Sequence, residues 1–99
     1  MDKLSRELNT FLVRMGMCPE SIGQQTVHYM EHIFHLLDPV DEQAVARYYG
    51  LFGEVQLSLA EIARGRGMTE EDMMAVIDSC IHRLAVTPEW QMIKNTLKH

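Results

Sequence analysis

The sequence predicts an all-α fold, a compact bundle of about six short helices, and three features carry that reading. Apolar residues recur at three- and four-residue spacing in one segment after another, residues that favour helix N-caps stand before several of those segments, and no alternating apolar–polar run makes a convincing strand. A chain of 99 residues has room for one such core and not for two, so residues 1–99 read as a single domain.

Leu4, Leu8, Phe11, Leu12 and Met15 form the apolar stripe of a first helix over residues 3–15, with Gly16 as its stop. Pro19 suits the first turn of a second helix, whose stripe of Ile22, Val27, Met30, Ile33, Phe34 and Leu37 runs until Asp38-Pro39 interrupts it. Asp38 is placed to cap a third helix, with Pro39 at its first position and Ala44, Val45, Tyr48 and Tyr49 on its apolar side, ended by Gly50 and Gly53. Ser58 with Glu61 is a capping-box pattern for a brief fourth helix, carrying Leu59, Ile62 and Ala63, that breaks at Gly65, Arg66 and Gly67. Thr69 caps a fifth helix whose Met73, Val76, Ile77, Cys80, Ile81 and Leu84 lie on one stripe. Thr87-Pro88 opens a last helix with Trp90, Ile93 and Leu97.

No apolar run approaches the roughly 18 residues that span a bilayer, and residues 1–6 lead into no signal-like stretch, so a cytoplasmic location and no membrane partner are expected. Cys18 and Cys80 make no CxxC pair and read as buried free thiols. Nine Lys plus Arg against fourteen Asp plus Glu leave a net charge of -5, which opposes binding to a polyanion.

A short helix, a turn at Gly67 and a longer, freshly capped helix is the order of a helix-turn-helix. The neighbouring residues sharpen it: Leu37, Glu42, Val45, Tyr49-Gly50-Leu51, Gly53-Glu54, Leu57-Ser58-Leu59, Glu61-Ile62-Ala63, Gly67-Met68-Thr69, Glu71, Val76 and Leu84. This order resembles region four of bacterial sigma factors, without a gap from about Leu37 to about Leu84. The resemblance divides the chain into an N-terminal helical pair (1–36), the region-four-like unit (37–86) and a C-terminal helix (87–99). Residues 1–36 show no likeness to the family, and the sigma regions that bind the polymerase clamp and the other promoter element have no counterpart, so a complete sigma factor is not expected.

The resemblance implies that the fifth helix is a recognition helix, and the departures there are informative. Glu70 and Asp72 stand where the family has Arg, Met74 replaces another Arg, and Ala75 replaces Gln. A good bidentate base contact is worth about 1–3 kcal/mol of discrimination, so losing several removes much of the roughly 4–10 kcal/mol that separates specific from non-specific binding. Glu70, Glu71 and Asp72 instead favour the helix N-terminus through its dipole and repel phosphates. Glu70, Glu71, Asp72, Met74, Ala75 and Asp78 are therefore the expected protein-interaction face, with Met74 and Ala75 an apolar spot among acids. Gly65 and Arg66 stand where the family places bulky apolar residues, so the fourth helix should pack loosely.

Three functions fit these residues. The first is a small regulatory protein acting through protein contacts, with RNA polymerase or a transcription regulator as the partner that the resemblance implies. The second is a DNA-binding regulator, potentially dimeric, using a phosphate-contacting rim of Arg64, Arg66 and Arg83 with Lys94 and Lys98. The third is a helical adaptor or homo-oligomeric module outside transcription. His28, His32 and His35, with Glu31, share a helix face but read more simply as a polar surface than as metal ligands, so no metal or cofactor is expected. Cys80 reads as packing, Ser58 and Thr69 as caps, and no catalytic motif is present, so no enzyme is expected.

Overall fold

The computed structural model describes residues 2–97, and these form six α-helices with no strand among them. In order they are α1 (Lys3–Met17), α2 (Gln24–Phe34), α3 (Pro39–Tyr49), α4 (Leu59–Gly65), α5 (Glu70–Ala85) and α6 (Pro88–Thr96), with a 3-10 turn at Pro19–Ser21. None of these helices is long and apolar enough to cross a membrane.

The helix starts follow from local hydrogen bonding. Orphan N–H groups at the first turn are met by side-chain oxygens: Asp2 accepts from Ser5 N, Thr69 from Asp72 N and Thr87 from Trp90 N. At α4 the capping box is complete, with Glu61 N donating to Ser58 Oγ at 3.1 Å and Ser58 N donating to Glu61 Oε1 at 3.2 Å. Asp38 occupies the N-cap of α3 as the sequence predicts, yet its side chain makes no capping bond there.

Two sequence expectations are corrected. The second helix does not begin at Pro19, because Pro19–Ser21 closes into a 3-10 turn and Ile22 is extended, leaving Gly23 as the N-cap of a helix that ends at Phe34. Gly16 does not stop α1, which runs on to Met17. Its role is tertiary: α1 crosses the C-terminal end of α3 there, and a Cβ on Gly16 would overlap the Tyr49 carbonyl oxygen and stand 3.2 Å from the carbonyl carbon. The Tyr49 hydroxyl donates to Asn9 Oδ1 at the same crossing.

The end of α3 is closed by the loop after it. Gly50 adopts the left-handed conformation, φ 73°, that a C-cap requires and that a Cβ disfavours. The carbonyls of Ala46, Arg47 and Tyr48 then accept from Leu51 N, Leu57 N and Gln56 Nε2. Phe52, also at positive φ (55°), lays its ring edge-on against Phe34 with centroids 5.1 Å apart.

All six helices contribute to one apolar core, and α5 runs through it. Met73, Ile77, Ile81 and Leu84 are wholly buried, while α1, α3, α4 and α6 all pack against this helix. Trp90 of α6 is buried beside Phe11 of α1, ring centroids 5.4 Å apart. The helix α2 packs chiefly on α6.

The two helical glycines give opposite predictions. In a helix Ala is favoured over Gly by about 1 kcal/mol, but a clash with backbone, which cannot swing aside, costs about 1–3 kcal/mol. Gly16→Ala should therefore lower the urea midpoint by the equivalent of up to about 2 kcal/mol. Gly65→Ala, with nothing within 4 Å of its added Cβ, should raise it by a few tenths to about 1 kcal/mol.

Candidate interaction face on the fifth helix

The helix α5 starts immediately after a tight turn in which Gly67 takes a left-handed conformation, φ 66°, and Met68 N donates back to Ala63 O at 2.9 Å. Because Met73, Ile77, Cys80 and Ile81 face inward, the opposite side of the helix is presented outward. Glu70, Glu71, Asp72, Ala75 and Asp78 are all exposed. Glu71, Ala75 and Asp78 follow i, i+4, i+7 spacing and form one outward stripe, with Glu70 and Asp72 flanking its start. Met74 departs from the sequence expectation: it is half-buried and packs against the core, so the face is more acidic and less apolar than its spacing implies.

The cations expected as a rim do not gather beside this face. Arg66 Nη1 is held 2.8 Å from Asp41 Oδ1, with both side chains mostly buried, and so braces the turn against α3. Arg83 Nη2 reaches the Leu36 carbonyl at 3.4 Å, and from residue 70 to residue 83 a helix rises roughly 20 Å, which puts Arg83 far from the turn. Lys94 Nζ is 2.8 Å from Glu7 Oε2. Lys98 lies outside the described residues. Arg64 is exposed at the end of α4. Beside it, a shallow cleft of about 190 Å³ opens between α3 and α4, lined by Ala44, Arg47, Leu57, Ile62 and Gly65. Gly65 contributes no side chain to this cleft, while Ile62 and Ala63 of the same helix are buried.

Of the three histidines, His32 and His35 meet and His28 stands apart against Tyr29. His35 lies just beyond α2 and turns its Nδ1 to Glu42 Oε1 at 3.2 Å, while the His32 and His35 rings meet edge-on with centroids 6.4 Å apart. Among the described residues no three His, Cys, Asp or Glu side chains are placed to hold a metal ion.

One cluster was beyond reach of the sequence. Asp2 Oδ2 lies 2.9 Å from His82 Nδ1, and Ser5 Oγ lies 3.4 Å from the same nitrogen. A hydroxyl relay divides the acid and the hydroxyl between the two ring nitrogens. Here both address Nδ1, so the cluster pins the start of α1 to the last turn of α5. Of the two free thiols, Cys80 is buried and desolvation pushes its pKa up to about 11, but Cys18 is exposed at the end of α1. The expectation of two buried thiols fails at Cys18 because the chain leaves the helix there for the 3-10 turn.

The chain matches no protein-family model, no curated protein and no solved structure with which it was compared.

Two measurements follow from these geometries. With a thiol-reactive chromophore near pH 8, Cys18 should react within the mixing time and Cys80 only at the rate of unfolding, because a buried thiol with a raised pKa supplies little thiolate. Fast reaction of both would contradict the burial of Cys80. The second concerns acid. The Ser58 N–H, then its hydroxyl, hold Glu61 below its ordinary 4.5, and the Ser5 N–H foremost holds Asp2 below 3.8. Carboxylates depressed in the fold contribute stability that is present above those ordinary values and lost as pH falls through the lower folded ones. Glu61→Gln should therefore lose less thermal stability than the parent between about pH 5 and pH 3.

Proposed function

We propose that this chain is a small, non-enzymatic, transcription-associated regulatory protein that acts through protein contacts in the cytoplasm. In this reading α4, the Gly67 turn and α5 form a helix-turn-helix of the sigma region-four kind, whose outward face has been turned from nucleic acid to protein. The observation that carries it is the exposed carboxylate cluster at the start of α5, Glu70, Glu71 and Asp72, in a place where the resemblance calls for cations.

Electrostatics supports the same reading. A protein gains affinity for a duplex by neutralising phosphates and releasing counterions, and carboxylates at the contact do neither. Arg66, the basic residue nearest the turn on the far side, is already engaged by Asp41. A protein partner with a basic surface meets the opposite situation, since the acids steer it in and fix its register. RNA polymerase and its regulators are the partners that the resemblance implies, because region four of the family docks on the polymerase flap.

Retention of purified RNA polymerase on the immobilised chain is the direct test, with electrophoretic shifts of a duplex of about 30 base pairs run alongside at several salt concentrations. The parent should retain polymerase, or a regulator that copurifies with it, and give no shift at about 50 mM salt. Reversing Glu70, Glu71 and Asp72 to Lys should weaken retention at least tenfold, about 1.4 kcal/mol, with helical content unchanged. Arg64→Glu is the matching probe of DNA contact; Arg66 is left intact because its replacement strands Asp41. A salt-sensitive shift that Arg64→Glu abolishes would replace this reading with the DNA-binding one.

A further inference from the structure

We draw no further inference here: the strongest candidate, the outward stripe of α1 on which Lys3, Arg6 and Arg14 are exposed, carries nothing because surface cations suit a carboxylate and a phosphate alike and nothing in the structure shows what covers them.

Discussion

The burial of one stripe on α5 is the constraint on which the other elements depend. Met73, Ile77, Ile81 and Leu84 have no exposed surface, and α1, α3, α4 and α6 each cover part of this stripe. Isolated helices of seven to fifteen residues are marginal in water, so these four helices persist because they pack on α5. An Ile→Ala change in such a stripe typically costs about 2–5 kcal/mol, a large share of the stability of a domain this size. The same burial fixes the outer face. Once the stripe points inward, helical geometry leaves Glu71, Ala75 and Asp78 pointing outward, and the character of that face is decided by residues that have no part in the core.

Charge is divided between brace and surface. Arg66 with Asp41, Lys94 with Glu7 and Asp2 with His82 join elements distant in sequence, while Arg47 with Glu54 ties α3 to the loop that follows it. The Arg66 and Lys94 pairs are the more enclosed of the four, so solvent screens them less than the others. Each such pair takes one acid with one base, so the excess of acids in the sequence, a net charge of -5, is left to the surface, and at the start of α5 the helix dipole favours part of it. Acids there stabilise the helix they decorate, so the face needs no compensating cation to persist.

The sequence made the local features of this fold legible and left the long-range ones hidden. Ser58, Thr69 and Thr87 announce their helices because a cap acts over three residues, and Gly50 announces the end of α3 because its left-handed φ is a local demand, although a Cβ there would also crowd Gln56. Gly16 was misread because its constraint comes from Tyr49, a residue of another helix. The stripe from Ile22 to Leu37 reads as one helix across Gly23 because periodicity registers which residues are buried and not where the backbone turns. At the candidate site the exposed acids were legible from their place opposite the core stripe. The engagement of Arg66 by Asp41, 25 residues away, and the meeting of Ser5 with His82, 77 residues apart, leave no sequence signal.

The helix α2 shows how an incomplete burial points outward. It contributes Met30, Ile33 and Phe34 to the core and takes its main support from α6, with Phe52 closing over Phe34 at one end. The remaining length beside Tyr29 and His32 meets α6 across an open groove, so the two helices share one buried flank and leave another wet. Among the described residues α1, α3 and α4 pack on α5 and leave this flank of α2 chiefly to α6. The outward acids of α5 and the apolar groove of α2 and α6 thus arise from one arrangement of the core.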